Sequence, residues 1–195
     1  MSDRPISFTQ IAFVSKDWRK SAQYWMDEMG AGPFFILKLP PLEKNYRGRM
    51  VRDTFEVAIS FVGNTSLEII QPVNSEPSMF REVLESKGDG ALHHMFPDFR
   101  AMDDAEFAAR RQKYADLGLK IACEFTIPGL GNNIFYDSLH NVGSFVELSQ
   151  LNAQGFQICL NMFEEHRTWD GRNPVRDIAE AAPHMPSIFS TSART

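Results

Sequence analysis

The sequence predicts an α+β fold: two tandem βαβββ modules whose strands form a mixed sheet, curled into a cupped half-barrel with the helices outside. Three observations predict it. Short alternating runs rich in Val, Ile and Phe are separated by Gly-, Pro- and Asn-containing turns. A helix-spaced stretch follows the first such run in each half of the chain. The same order of elements then occurs twice, with polar residues at matching places on the first and last strands.

Ile6 to Val14 alternates and is rich in β-formers. Ser15-Lys16-Asp17 supplies a helix start, and Trp18, Ala22, Trp25, Met26 and Met29 recur at helical spacing until Gly30 stops them. Phe34 to Leu39 reads as a strand ended by Pro40-Pro41, and Leu42 to Asp53 as a polar, basic loop. Phe55 to Val62 and Ser66 to Gln71 are strands flanking a Gly63-Asn64 turn. Ser75 to Lys87 reads as a linker helix with Phe80, Val83 and Leu84 as its apolar stripe.

From Leu92 the order begins again. Leu92 to Asp98 is a strand, Asp103 or Asp104 caps a helix carrying Phe107, Tyr114 and Leu117, and Gly118 ends it. Strands follow near Lys120 to Thr126, Asn133 to Asp137 and Ser144 to Gln150. Ala153 to Arg167 is an amphipathic helix with Phe156, Leu160 and Phe163 on one face, suited either to covering the sheet or to a dimer contact, and an irregular, Pro-containing end follows it. The divisions are therefore 1–74 for the first module, 75–90 for the linker helix, 91–151 for the second module and 152–195 for the C-terminal helix and tail.

Composition narrows the function. At 195 residues with 43% hydrophobic content the chain can bury a sizeable core, which excludes disordered and fibrous classes. A net charge of −5 with no basic run argues against a nucleic-acid partner and for a small-molecule substrate. Cys123 and Cys159 have no CxxC spacing, so neither a disulfide framework nor a thiolate zinc site is expected. No apolar run approaches the roughly 20 residues of a membrane helix, and MSDRPISFTQ lacks the apolar core of a secretory signal. A cytoplasmic location, away from membranes, is the expectation.

Gln10, Glu68, His94 and Glu147 carry the chemistry. Their neighbours Ile11, Leu67, Ile69, Met95, Val146 and Leu148 are apolar, so strand alternation sends those neighbours to the helices and the four polar residues to the concave face. By the same alternation His93 should face the helices. Two carboxylates buried together repel unless a cation lies between them. One imidazole, two carboxylates and an amide suit a divalent ion such as Zn, Ni, Co, Mn or Mg. The spacing supports the pairing of halves: Gln10 and Glu68 are 58 residues apart, His94 and Glu147 are 53 apart. Arg47, Arg49 and Arg52 form either a solvated patch or a handle for an anionic group. Trp18, Trp25, Phe34 and Phe35 are expected in the core or pocket wall.

Gln10-Ile11-Ala12-Phe13-Val14, Ser66-Leu67-Glu68-Ile69-Ile70, Leu92-His93-His94-Met95 and Phe145-Val146-Glu147-Leu148 together resemble the four metal-ligand strands of the vicinal-oxygen-chelate superfamily, over residues 6 to 150. Gln10 follows the Gln, Glu, His, Glu pattern of glyoxalase I. Pro33-Phe34-Phe35 and Tyr46-Arg47-Gly48-Arg49 resemble an epimerase-like branch of glyoxalase-like proteins. The resemblance implies a metal-dependent isomerase or lyase that removes a proton next to a carbonyl, with Glu147 as base and Glu68 the second candidate. The expected partner is a small-molecule substrate, with an anionic compound or an acyl-CoA among the options that the Arg47, Arg49 and Arg52 loop leaves open, and a homodimer is expected. A binding protein of the bleomycin-resistance type and an extradiol dioxygenase share the fold and stay open.

Overall fold

In the computed structural model, which describes residues 6–182, every helix among the described residues begins on a side chain that accepts from otherwise unpaired backbone N–H groups. Asp17 accepts from Arg19 and Lys20 at the start of α1 (Trp18–Met29), and Ser78 accepts from Arg81 at the start of α2 (Met79–Lys87). Asp103 accepts from Glu106 ahead of α3 (Asp104–Asp116), and Asn152 from Gly155 ahead of α4 (Ala153–Thr168). Gly30, with φ of 66°, ends α1 in the left-handed conformation that a residue with a Cβ adopts at a cost.

The strands are β1 (Phe8–Val14), β2 (Phe34–Lys38), β3 (Lys44–Tyr46), β4 (Arg49–Val51), β5 (Phe55–Val62), β6 (Thr65–Pro72), β7 (Leu92–Phe99), β8 (Lys120–Ile127), β9 (Gly131–Asp137), β10 (Phe145–Leu151) and β11 (Val175–Asp177). They form one open sheet in the order β11-β2-β5-β6-β1-β7-β10-β9-β8-β3-β4. The two halves meet where β1 pairs antiparallel with β7. Each half repeats one pattern about that seam: β1 runs parallel to β6, and β7 runs parallel to β10. This is the α+β architecture the sequence predicts.

Three expectations are corrected. The segment read as a loop from Leu42 to Asp53 contains the β3–β4 hairpin, which leaves the first half and pairs with β8 at the far edge of the second. Its anchor is Lys44, which is buried with its ammonium 2.8 Å from the Asp53 carboxylate, 2.6 Å from the Asp53 carbonyl, and over the rings of Phe55 and Phe125. The linker helix starts at Met79, not Ser75, because Ser78 takes the capping position. The tail read as irregular supplies β11, which pairs with β2, and a short 3-10 helix (Ile178–Ala181); the rest of it lies outside the described residues.

Helices cover both faces. On the convex face α1 packs Trp18 and Ala22 against Phe34, Ile36, Leu67 and Ile69, and α3 packs Phe107 against Ile134, Tyr136 and Leu148. The concave face is filled by α2 and α4. Met79, Phe80 and Val83 enter from α2, and Ile158, Cys159 and Met162 from α4, over Phe35, Phe61, Phe96, Phe135 and Phe145. Phe163 of α4 lies 4.9 Å from Phe8 and 5.1 Å from Phe61, ring centre to ring centre, so its stripe covers the sheet. Both cysteines are free and buried.

Candidate metal centre

The sheet register brings the four polar residues together. Ala12 of β1 pairs with Glu68 of β6 on one side and with His94 of β7 on the other, and Gln10 shares its face two residues away. His94 in turn pairs with Phe145 of β10, and Glu147 follows two residues on. The small side chain of Ala12 leaves the space over the seam to its longer neighbours. His94 Nε2 is the hub: Glu147 Oε2 lies 2.8 Å away, the Gln10 amide nitrogen 3.4 Å and Glu68 Oε2 3.7 Å. Gln10, His94 and Glu147 are buried.

The electrostatics are those of an unbalanced anionic site. Burial is the main cause that raises the Glu68 carboxyl to about 7; the Glu147 charge adds to this and His94 opposes it. Burial alone would depress His94, but the Glu147 and Glu68 carboxylates outweigh it and hold the imidazole above its ordinary 6.5. Burial, together with the neighbouring His94, holds His93 well below that value. Despite its closeness to His94, Glu147 Oε2 makes no hydrogen bond of good geometry among the described residues. Its other oxygen, Oε1, accepts from the Ser149 hydroxyl, and Ser149 lies 2.7 Å from the Asn133 amide.

A divalent ion fits this donor set. As the side chains stand, no three His, Cys, Asp or Glu among the described residues enclose an ion-sized position. Of the spacings about Nε2, the 3.4 Å to Gln10 falls within the roughly 3.0–3.6 Å that separates donors set about 2.1 Å from one centre, and the 2.8 Å to Glu147 and 3.7 Å to Glu68 lie just outside it, so small side-chain adjustments would be needed to seat an ion. Glu147 Oε2 is the orphaned oxygen such an ion would satisfy. Gln10 presents its nitrogen, so it would ligate only after its amide turns over to offer Oε1.

Two cavities border the cluster. One of about 110 Å³ lies under α4, lined by Gln10, Glu68, Asn133, Glu147, Cys159 and Met162 among others. A second of about 70 Å³ is lined by Glu68, His94 and Glu147 with Phe55, Phe80 and Phe125. Glu68, with 18% of its side chain exposed, borders both. None of the described residues lining either cavity is Lys or Arg. Of the arginines in and beside the β3–β4 hairpin, Arg47 pairs with Glu82 and Asp137, and Arg52 with Glu43.

Sequence reasoning missed Ser149, Asn133 and the placement of His93. Ser149 is two residues from Glu147 and so on its face, a signal the alternation carried. Asn133 becomes relevant only through its cross-strand pairing with Ser149. His93 departs from the expected helix-facing side, because Leu92 pairs with Phe13 while His94 pairs with Ala12. This makes His93 the extra residue of a bulge. The bulge turns its ring into the concave-face core, 4.7 Å from the Phe80 ring and 5.1 Å from that of Phe145.

The fold is shared with solved structures of low sequence identity. Among solved structures, a hypothetical protein from Bacillus halodurans C-125 matches with a TM-score of 0.53 at 13% identity, over 72% of this chain and 90% of that one. A methylmalonyl-CoA epimerase from Mycobacterium tuberculosis aligns with a TM-score of 0.48 at 13% identity, over 73% and 85% of the two chains. One from Streptomyces coelicolor, in complex with 2-nitronate-propionyl-CoA, aligns with a TM-score of 0.46 at 18% identity, over 72% and 90%. At these identities the likeness is one of fold. No protein-family profile matches the chain, and no curated protein does.

Proposed function

We propose that the chain is a divalent-metal-dependent isomerase or lyase that removes a proton next to a carbonyl of a small, oxygen-chelating substrate. The observation that carries this reading is the convergence of two carboxylates and an amide on one imidazole nitrogen, with one buried carboxylate oxygen left without a hydrogen bond. His94, Glu147, Glu68 and Gln10 would hold the ion; when bound, it supplies Lewis acidity to neighbouring substrate oxygens.

The chain's own residues divide the remaining work. Ser149 ties down Glu147 Oε1, which suits Glu147 to holding position. Both carboxylates line both cavities, but Glu68 has no serine holding it and is the more exposed, at 18% of its side chain against 8% for Glu147, so it is better placed to reach a substrate carbon and take the proton. We therefore favour Glu68 as the base and Glu147 as a fixed ligand, the reverse of the order that the resemblance to glyoxalase I implies. Ile158, Cys159 and Met162 of α4 exclude water from above. A substrate filling these cavities is small and largely apolar. An anionic group on it would find its counter-charge in the ion, and the CoA moiety of an acyl-CoA would have to lie outside these cavities. A homodimer in a reducing, cytoplasmic setting completes the proposal; the two free, buried cysteines are compatible with that setting.

Elemental analysis of the purified protein, followed by titration of the chelated protein with Zn, Ni, Co, Mn and Mg, tests the reading. About one ion per chain is expected. Small 2-hydroxy carbonyl compounds then report turnover by incorporating deuterium from heavy water. A protein that takes up no divalent ion would sink the enzyme reading. The covered, largely apolar cavity would then favour a small-molecule binder of the bleomycin-resistance type. The extradiol reading needs a second histidine at the centre, and His93 turns Nδ1 to His94 instead.

A further inference from the structure

His93 is an unusual residue to find where it lies. It is wholly buried, its ring is flanked by Phe80 and Phe145, and it meets His94 edge-on at 5.1 Å. An aliphatic or aromatic side chain would fill this space without burying an imidazole. Its Nε2 makes no hydrogen bond of good geometry among the described residues, although the Met79 backbone is close by. The polar contact it does make joins its Nδ1 to the Nδ1 of His94, 2.8 Å away.

That contact has two possible directions with opposite consequences for the site. Two imidazole nitrogens at this distance share one proton, so one ring donates and the other accepts. If His93 donated, the Nδ1 of neutral His94 would accept, and the His94 proton would sit on Nε2, pointing among Glu147, Glu68 and Gln10 where an ion would bind. If His93 accepts, the His94 proton sits on Nδ1 and the Nε2 lone pair faces the cluster. Only the second arrangement makes His94 a ligand.

We propose that His93 is a positioning residue that accepts the Nδ1–H of His94, fixing the tautomer and ring orientation that direct the Nε2 lone pair into the cup. This rests on the metal reading above. The β7 bulge is what makes it possible, since strict alternation would have put the His93 ring on the opposite face from His94.

The test compares the wild type with His93→Leu, which removes the acceptor, and His93→Asn, whose side-chain oxygen can stand near the Nδ1 position. Competition against a chromophoric chelator reads Zn affinity, and long-range 15N–1H correlations of the wild type read the His93 tautomer with and without Zn. The expected results are a loss of roughly 10–100-fold in affinity for His93→Leu, recovery of most of it in His93→Asn, and a His93 proton on Nε2. Leucine and asparagine variants that bind Zn like the wild type, or a His93 proton on Nδ1, would overturn the proposal. If His93→Leu does not fold, the wild-type tautomer and the asparagine variant still decide. A wild type that binds no divalent ion would instead remove the metal reading, and with it the role proposed for His93 as support to a ligand; the tautomer measurement would still show whether His93 accepts from His94.

Discussion

The two halves of the molecule supply equivalent residues to the site and hold them differently. In the second half His94 leans on His93, and Glu147 is tied through Ser149 to Asn133. In the first half Gln10 reaches the hub by one long contact, and Glu68 is the more exposed of the two carboxylates that line the cavities. A duplicated module therefore need not give duplicated roles. One copy is braced where an ion needs fixed donors; the other keeps the side chains that must turn or take up a proton.

Four outcomes would break or sharpen that comparison. The largest concerns Glu68→Gln, which should lower deuterium exchange at the substrate carbon by roughly 10²–10⁴-fold, the usual worth of a general base, in protein loaded with excess ion so that the weaker amide ligand does not limit occupancy. If Glu147→Gln loses the exchange and Glu68→Gln keeps it, the base belongs to the braced half and the comparison inverts. Next comes His94→Ala, which removes the hub and should weaken Zn binding by more than about 100-fold, beyond what loss of a supporting partner costs and beyond the loss in Glu68→Gln, which keeps an amide oxygen for the ion. Isothermal titration checks it, and wild-type affinity in this variant would mean the ion binds elsewhere. Ser149→Ala should cost roughly tenfold in the same titration by freeing Glu147 Oε1. Gln10→Ala, in the loosely held half, should cost less than Ser149→Ala; a larger loss would make Gln10 a principal ligand.

The chelated protein should also respond to pH through the first half. Folded Glu68 holds its proton up to about 7, against an ordinary value of 4.5, so its contribution is complete below 4.5 and is lost as pH rises through 7. A shift of that size is worth roughly 3 kcal/mol. His94, raised as well, changes stability in the same direction. Ion binding displaces both protons, so affinity should climb with pH across this window. Urea unfolding at pH 5 and pH 8, with chelator, measures the first effect. Equal midpoints there would mean that the buried carboxyl is ionised without penalty.

Much of the site was legible in the sequence because strand alternation is a local rule. Flanking apolar residues on β6 and β10 were enough to assign the faces of Glu68 and Glu147. His93 escaped the rule since a bulge is a property of two paired strands, and its position depends on how β1 meets β7. The β3–β4 hairpin was hidden for a similar reason. Strands of three residues are too short to show a period, and the burial of Lys44 depends on Asp53 and on Phe125 from the other half. The apolar stripe of α4 could be read from its spacing, but the concave surface that receives it could not.

The hairpin also bears on how the molecule behaves among its own copies. Without it β8 would be an open rim of eight residues, and without β11 the five-residue β2 would be the other. Both are capped by strands of three residues, β4 and β11. The outermost strands are short templates for a neighbouring chain, although β3 pairs with β8 only at Cys123 and Glu124. Since the cap on the second half is drawn from the first, and the cap on the first from the segment after the second, a fragment holding either half alone would expose more of one of these rims and should associate edge to edge, a mode distinct from the proposed homodimer.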